Sequence, residues 1–313
     1  MKLDAKQMQA FFAVAETGSF EKAAERLRVT PSAVSQRIHA LEVRLGSSVI
    51  IRGRPCESTP IGKKLMHYLR RATVLEDELL NEISGDDDGH LRMVMAVNGD
   101  TLATWFFPAL ADIFINEKIL LEILVEDQDH TYSLLESGQV IGCIGTQALP
   151  MRGCFVKSLG SMRYVLVASP AFQAQWFPDG LSREAAFKAP VFAYSRKDTL
   201  HSDFLRSRFG LHSNVYPVHY LSLPQARLKA IRRGLGYGMI PLAQVDDMLK
   251  KKELVDVSPG QFIDLELYWH AWSSQSPRLE ALSERAVDAA RRVLSNQEPH
   301  KRPKIQKNKS KKL

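Results

Sequence analysis

The sequence predicts an α/β protein in three parts: a small helical head, one long helix, and a larger two-lobed domain. Three observations lead to this prediction. Two short helices meet at a tight corner over residues 19–46, and a narrow apolar seam follows over residues 60–83. From residue 91 onward, apolar strand-like runs alternate with helical patterns. A chain of 313 residues is long enough for two or three domains of ordinary size.

The corner over residues 19–46 predicts a helix-turn-helix. Thr30 can cap the second helix, and Pro31 fits its first position, where a missing N–H costs nothing. Apolar side chains recur with helical spacing on one face, at Val34, Ile38, Leu41 and Leu45. Small polar side chains face the other way, at Ser32, Ser35, Gln36 and His39. Since an amphipathic helix is equally typical of an ordinary surface helix, the flanking sequence decides between the two interpretations.

The flanking sequence favours a winged helix-turn-helix over residues 1–59. A first helix over Asp4–Thr17 supplies apolar side chains for a small core, and the β-branched run Ser48–Ile51 is typical of a β-wing. In such a domain the outward helix face can reach DNA base edges, while nearby cations meet phosphates. The cations in question are Arg37, Arg44, Arg52 and Arg54.

One long helix is predicted over residues 60–84. Its seam has near-heptad spacing and consists of Leu65, Leu69, Ala72, Leu75, Leu79 and Ile83. A seam this narrow favours pairing with a second copy of the chain, because paired helix-turn-helix domains read two half-sites. Packing against its own chain is the alternative. The acidic, glycine-flanked segment over residues 84–89 then indicates a domain boundary.

Residues 90–297 predict an α/β domain of two lobes. Strands are expected over Leu91–Val97, Ile119–Val125, Ile141–Ile144, Tyr164–Ala168 and Phe262–Ala271. Helices are expected over Thr101–Asn116, Tyr132–Glu136, Ser182–Ala186, Ser202–Phe209, Pro224–Arg233, Leu242–Leu249 and Ser276–Leu294. The alternation over the first three of these strands predicts a parallel sheet in the first lobe. We expect lobe I over residues 90–160 and 266–297, lobe II over 161–265, a cleft between them, and a basic disordered tail over 298–313.

Charge is divided unevenly along the chain. The formal net charge of +7 combines +7 over residues 1–71, −7 over residues 72–298 and +7 over residues 299–313. Phosphate contacts dominate the affinity of proteins for DNA, so a cationic head beside an acidic body places nucleic acid at the head.

Several functional classes find no support in the sequence. It contains no nucleophile–base set, P-loop or dinucleotide fingerprint, so we expect no catalytic residue, no cofactor and no metal. Cys56, Cys143 and Cys154 lack zinc-type spacing and are expected to be reduced thiols, with a redox pair of the last two as the alternative. No apolar stretch reaches the roughly 18 to 20 residues that span a bilayer, and no export signal is found. We therefore expect a cytoplasmic protein without a membrane partner.

The chain resembles the LysR-type transcriptional regulators over about residues 3–295. The resemblance is most specific at Phe11-Phe12, Ala23-Ala24, Thr30 to Ser35, Leu41, Glu42, Leu45 and Gly46. It implies a winged helix-turn-helix on promoter DNA, a dimerising linker helix and a two-lobed, periplasmic-binding-protein-like effector domain. It also implies a homodimer or homotetramer that contacts RNA polymerase. The implied DNA-binding residues are Thr30, Pro31, Ser32, Ser35, Gln36, Arg37 and Arg52, the two arginines being nearer phosphates.

Within that family, the segments AVNGDTLATWFFPAL, LVEDQDHTYSLLESGQV and YVLVASPAF most resemble one branch of activators. The branch senses lysine and arginine, controls a basic amino-acid exporter, and is also described as inhibiting the initiation of chromosome replication. One departure is Gln139, which stands where the family often has an Asp before the next strand.

Polar residues at the ends of predicted strands are compatible with such an effector. Acids there could neutralise an α-ammonium and a cationic side chain, and a helix N-terminus favours a carboxylate. Capping of helices, or a place in a solvated loop, is the alternative for each acid. The expected effector-binding residues are Asn98, Asp100, Thr101, Glu126, Asp127, Gln128, Asp129, Thr146, Tyr194, Ser195 and Asp198.

We expect effector binding to shift lobe closure and thereby the bend of the bound DNA. Three other functions stay open at this point. The chain could be a LysR-type regulator of a different small-molecule effector, a solute-binding receptor or enzyme with a helical head, or a non-specific DNA-binding protein assisted by its basic tail.

Overall fold

The computed structural model describes residues 3–84, 90–127, 129–213, 215–273 and 277–294. Most of the predicted acidic linker, residues 85–89, and the predicted basic tail lie outside the described residues. Within them, a helical head and one long helix precede a large mixed sheet with helices on both faces.

The head is a winged helix-turn-helix, as the sequence predicts. Its elements are α1 (Ala5–Thr17), α2 (Phe20–Leu27), α3 (Pro31–Leu45) and two antiparallel strands, β1 (Ile50–Ile51) and β2 (Glu57–Ser58). Each helix is capped at its start by a side chain that accepts a backbone N–H of the first turn. The capping residues of α1, α2 and α3 are Asp4, Ser19 and Thr30. Gly46 ends α3 in the left-handed conformation, at φ +67°. The core of the head includes Phe11, Val14, Ala23, Val34, Ile38 and Leu41.

The long helix α4 (Pro60–Ser84) is present, but its apolar seam is divided between two environments. Leu65 and Leu69 are buried in the core of the head, so the first half of the seam packs against its own chain. Leu79 and Ile83 in the second half are 53% and 72% exposed. The expectation of one continuous intermolecular seam is therefore wrong for the first half, because the head core covers it.

The same helix also contacts the large domain. Nε2 of His67 donates a hydrogen bond to the carbonyl oxygen of Glu136 at 2.6 Å, and the His67 ring lies 5.7 Å from that of Trp272. Gly138 passes so close to His67 that a Cβ would lie 2.8 Å from its backbone nitrogen. The head and the large domain thus meet through α4.

Two long strands form the middle of the large sheet. β6 (Cys154–Ala168) and β11 (Phe262–Trp272) pair antiparallel over almost their whole length. On one side β11 is followed in order by β5 (Gly142–Gly145), β3 (Leu91–Val97) and β4 (Ile119–Val125). On the other side β6 is followed by β9 (Tyr237–Pro241), β7 (Val191–Ala193) and β8 (Val218–Tyr220), and β10 (Val255–Asp256) also pairs with β6.

The parallel sheet predicted for the first lobe is confirmed, because β3 pairs parallel with both β4 and β5, but the sheet as a whole is mixed. The outer strands are parallel to one another, as the βαβ pattern predicts, whereas β5 and β9 each meet the central pair antiparallel. The reason is that β6 and β11 run in opposite directions through the middle of the domain. We call the β3, β4, β5 side lobe I and the β7, β8, β9 side lobe II; the residue limits predicted for the lobes stay a prediction.

The helices cover the two lobes. Lobe I carries α5 (Gly99–Ala103), α6 (Phe106–Asn116), α7 (Thr131–Glu136) and the final helix, α13 (Pro277–Leu294). Lobe II carries α8 (Pro170–Trp176), α9 (Arg183–Lys188), α10 (Leu200–Phe209), α11 (Pro224–Arg232) and α12 (Leu242–Lys250). The single helix expected over Thr101–Asn116 is wrong, because the backbone of Thr104 leaves the helical conformation at φ −117° and ψ −86°. The Thr104 hydroxyl instead donates to the carbonyl oxygen of Asp100 at 2.7 Å.

Candidate functional site

The exposed face of α3 and the wing together form one candidate surface of the head. Pro31, Ser32 and Gln36 are exposed, and Ser35 is half-buried, because the inward stripe of α3 faces the head core. Thr30 uses its hydroxyl to cap the helix, accepting the N–H of Ala33 at 3.2 Å. The helix is thus anchored by its apolar side and presents small polar groups outward, as the sequence predicts.

A concave surface joins the start of α3 to the wing. It brings together Pro31, Ser32, Ser35 and Arg52 with residues of the turn between α1 and α2. The guanidinium of Arg52 lies 5.5 Å from the centre of the Phe20 ring, which holds this cation beside the helix. Gln36 and the half-buried Arg37 are not part of this concave surface.

The structure adds Lys22 to the cations expected to meet phosphates and groups it with Arg54. Lys22 lies at the start of α2 and Arg54 lies in the wing, and both line the concavity with Arg52. Their charge was visible in the sequence, but their proximity depends on the corner between α2 and α3. Together these cations make the rim of the exposed helix face suitable for phosphate groups.

A second candidate site is a pocket between the two lobes. It has a volume of about 410 Å³ with its open mouth included. Lobe I contributes Asn98, Gly99, Asp100 and Asp127, and lobe II contributes Phe192, Tyr194, Asp198, Leu200, His201, Arg227 and Met239. Five of the predicted effector-binding residues line it: Asn98, Asp100, Asp127, Tyr194 and Asp198.

Asp100 and Arg227 form a buried ion pair across the pocket. Nη2 of Arg227 lies 2.7 Å from Oδ1 and 3.0 Å from Oδ2 of Asp100. The Tyr164 hydroxyl of the central strand donates to Oδ2 at 3.2 Å. Burial raises the pKa of Tyr164 well above its ordinary value, and the neighbouring Asp100 carboxylate adds to this, so the phenol keeps its proton.

Asp127 and Asp198 are acidic groups of the pocket whose ionised forms are disfavoured. Burial raises the pKa of Asp127 above its ordinary value. Burial also raises the pKa of Asp198, and the negative charge of Asp127 contributes in the same direction. Both also tie down local backbone: Asp127 accepts the N–H of Asp129, and Asp198 accepts those of Tyr194 and Leu200. Neither acid is the N-cap residue of α7 or α10, and these backbone contacts do not exhaust their accepting capacity.

The other predicted effector-binding residues that the structure describes do not line the pocket. Thr101 is fully buried in α5, and the Glu126 carboxylate accepts the neighbouring N–H of Asp127. Thr146 donates to Asp129 at 2.5 Å on the exposed surface. The Ser195 hydroxyl accepts the N–H of Lys197. Gln128 lies outside the described residues, and the contribution of these residues to binding stays a prediction.

Lobe II supplies pocket residues that sequence reasoning missed. Arg227 lies on α11 and His201 on α10, and each is 3% exposed. Neither ring nitrogen of His201 has a hydrogen-bond partner among the described residues. Burial lowers the pKa of His201 to about 3, and the charge of Arg227 acts in the same direction, so the imidazole is neutral. Only a buried position within a helical pattern could have drawn attention to either residue.

Metal binding, redox sensing and a membrane-spanning helix find no support among the described residues. They contain no group of three or more His, Cys, Asp or Glu side chains arranged to hold a metal ion. Burial raises the pKa of the Cys143 thiol, and raises that of Cys154 to about 11, so neither has the thiolate character of a redox sensor. In this part of the chain no helix combines the length and the apolar character needed to cross a membrane.

Comparison with known proteins identifies the family to which the chain belongs. Residues 5–63 match the family model described as bacterial regulatory helix-turn-helix protein, lysR family, and residues 84–291 match the LysR substrate binding domain. The chain is 39% identical over 293 residues to the HTH-type transcriptional regulator ArgP of Aeromonas salmonicida, covering 93% of this chain and 98% of the relative. It is 37% identical, with the same coverage, to ArgP of Vibrio parahaemolyticus.

Two solved structures are similar along nearly the whole chain. ArgP of Mycobacterium tuberculosis is 38% identical with a TM-score of 0.80, and LysG of Corynebacterium glutamicum with bound effector Arg is 32% identical with a TM-score of 0.72. Each comparison covers 92% of this chain and 98% of the other. With its winged helix-turn-helix head and its LysR substrate binding domain, this chain is a member of the LysR family of bacterial transcriptional regulators.

Proposed function

We propose that this regulator senses a basic amino acid, lysine or arginine, in the pocket between its lobes and controls genes of basic amino-acid export or metabolism. The single observation that carries the proposal is the charge of the pocket. Three carboxylates line it, from Asp100, Asp127 and Asp198, against one guanidinium, from Arg227. With His201 neutral, the pocket keeps an excess of two negative charges.

A basic amino acid has the complementary charge distribution. It brings two cations and one carboxylate, so its net charge is positive and opposes the excess in the pocket. Desolvation already penalises the ionised forms of Asp127 and Asp198, and a cation placed between them would relieve that penalty. A neutral or acidic effector would leave both carboxylates uncompensated. The LysG structure, with its bound effector Arg, supports this choice by relationship.

The winged helix-turn-helix head binds the promoter DNA whose transcription the effector controls. We propose that Pro31, Ser32, Ser35 and Gln36 contact bases of promoter DNA, while Arg37 and Arg52 contact phosphates, in the cytoplasm where that DNA lies. The exposed end of α4 acts as a dimerising linker helix, in a homodimer or homotetramer. The two lobes close on the effector in the manner of periplasmic binding proteins, and the change in DNA bend alters contact with RNA polymerase.

Isothermal titration calorimetry on the full chain tests the effector. Lysine or arginine should release or absorb heat in a saturable manner, whereas citrulline and norleucine, which lack the side-chain cation, should bind at least about 30-fold more weakly. If citrulline and norleucine bind as tightly as the basic amino acids, the pocket carboxylates do not recognise a side-chain cation of the effector. Saturable heat from neither basic amino acid would refute the proposal.

A further inference from the structure

On the basis of the proposed function, we infer that Arg227 binds the effector's carboxylate, and that Asp100 and Tyr164 are positioning residues that hold its guanidinium. The effector class then narrows from basic compounds in general to basic compounds with a free α-carboxylate. Diamines and decarboxylated amino acids, which have the cations but not the anion, would be rejected.

Asp100 is poorly suited to bind an effector cation itself. Its side chain is buried, and its two oxygens already accept the contacts of Arg227 Nη2 at 2.7 and 3.0 Å. Oδ2 also accepts the Tyr164 hydroxyl at 3.2 Å. A carboxylate has about four acceptor positions, so most of the capacity of Asp100 is used within the protein. Its position fits a counter-ion that fixes Arg227.

Arg227 keeps donor capacity that Asp100 does not use. A guanidinium has five N–H donors in a fixed plane, and the hydrogen bonds of Arg227 with Asp100 involve Nη2 alone. Its Nε is buried and has no hydrogen-bond partner among the described residues. A second carboxylate would therefore find a cation whose orientation is already fixed by the first.

His201 extends the same donor surface. It lines the pocket together with Arg227. As a neutral imidazole it offers one N–H donor, and neither ring nitrogen is paired within the described chain. Arg227 and His201 thus both line the pocket from lobe II, and each has donor capacity that the described residues do not use.

The distribution of charge within the pocket assigns the two ends of the effector. Arg227 is the one Lys or Arg among the described residues that line the pocket, so a carboxylate has a single cation to bind. Asp127 accepts the N–H of Asp129 through Oδ1, which leaves the acceptor positions of Oδ2 for a ligand. Asp127 and Asp198 are left to receive the cationic groups.

The competing interpretation is that the Asp100–Arg227 pair only joins the lobes. Asp100 lies on α5 of lobe I and Arg227 on α11 of lobe II, and Gly99 allows Pro224 to pack closely between these helices. A purely structural pair would lower the affinity of every effector by the same factor when it is removed. A carboxylate-binding Arg227 would lower only the affinity of effectors that carry a carboxylate.

Calorimetry on the full chain with arginine, argininamide and agmatine distinguishes a carboxylate-binding Arg227 from a purely structural ion pair. The wild type should bind arginine about 30-fold or more tightly than agmatine, the loss expected when a buried charge pair is missing. Arg227→Gln should reduce that ratio to within about 3-fold by weakening arginine and leaving agmatine unchanged. The double variant Asp100→Asn with Arg227→Gln, which leaves no unpaired buried carboxylate, should give the same reduced ratio.

Arg232→Gln is the matched control, because Arg232 lies on the same helix at the exposed surface, paired with Glu253. It should keep the wild-type ratio, and retained promoter binding by each variant verifies that it is folded. The inference is overturned if the wild type does not discriminate against agmatine, or if the double variant still does. The proposed function fails in a different way, when the wild type binds none of these compounds and not lysine either.

Discussion

Asp127 of lobe I and Asp198 of lobe II line the same pocket; burial raises the pKa of both carboxyls, and the negative charge of Asp127 adds to the rise at Asp198. Two buried carboxylates in a site with one guanidinium are arranged to receive a cation from outside the protein. This relationship crosses the boundary between the lobes, so a cation bound there favours their closure.

The first prediction concerns pH. Both pKa values are raised in the folded protein, so both groups protonate at a higher pH than an exposed carboxylate as the solution is acidified. A cationic effector needs the ionised forms; its affinity should be constant near neutral pH and fall as the pH drops through the raised pKa values. Titrations between about pH 7.5 and about pH 5 should show this loss with proton release on binding.

The sign for folding is opposite to that of the usual carboxylate. Above the raised pKa values, both carboxyls of the effector-free protein are ionised, which lowers the free energy of unfolding. Folding becomes more favourable as the pH falls through these raised pKa values toward the pKa of an exposed carboxyl, because the folded protein then takes up the protons. The imidazole of His130 also lies near this site, with its Nδ1 3.6 Å from Oδ1 of Asp127. The variant His130→Gln therefore separates any contribution of His130 to the pH dependence from that of the two carboxyls. An affinity that rises on acidification would contradict this assignment.

Neutralising either pocket acid should weaken effector binding. We expect Asp127→Asn and Asp198→Asn each to reduce the affinity for arginine and lysine by about 10- to 100-fold, through loss of a charge-assisted contact. Asp198→Asn should have an additional small effect on thermal stability, because both carboxylate oxygens accept backbone N–H groups. Asp112→Asn on the exposed side of α6 is the control and should bind like the wild type.

On the head, Gln36 and Arg52 should affect DNA binding differently. Gln36→Ala should weaken binding to the operator by about 1–3 kcal/mol while leaving random duplex unaffected, because amide groups read base edges. Arg52→Ala should weaken both duplexes and lower the slope of log affinity against log salt by about one. Gel shifts at several salt concentrations measure both quantities. Identical losses on the two duplexes for both variants would refute the division of roles.

The exposed end of α4 should determine the oligomeric state. We expect the double variant Leu79→Glu with Ile83→Glu to shift the protein toward monomer in sedimentation velocity and to weaken operator binding at least about 10-fold, because charges would replace its apolar seam. Glu76→Gln, an exposed change on the same helix, should leave assembly intact. A double variant that sediments like the wild type would assign the contact to another surface.

Much of the fold was predictable because its signals are local. The start and end of α3 follow from Thr30, Pro31 and Gly46, and these residues act on their own helix through caps and backbone conformation. Strand–helix alternation likewise predicted most elements of the large domain, although not the break at Thr104 or the short strands of lobe II. Short strands lack enough residues for a periodic pattern to be recognised.

The acidic side chains of the pocket were predictable from both lobes, with Tyr194 and Asp198 in lobe II, whereas Arg227 and His201 of lobe II were not. Asn98, Asp100 and Asp127 follow the ends of neighbouring parallel strands, and sequence alone places such ends together. Arg227 is 127 positions from Asp100 along the chain and sits within an ordinary amphipathic helix. Nothing in its local sequence distinguishes it from the solvent-exposed Arg232 on the same helix.

By itself, then, the sequence determined the class of protein, the exposed helix of the head and the acidic character of the effector domain, since each depends on spacing along a few turns or on composition. The tertiary structure alone decided that the sheet is mixed, that half of the α4 seam is covered by the head, and that Arg227 neutralises Asp100. These are contacts between distant segments, and they depend on how β6 and β11 cross the domain and bring the two lobes together.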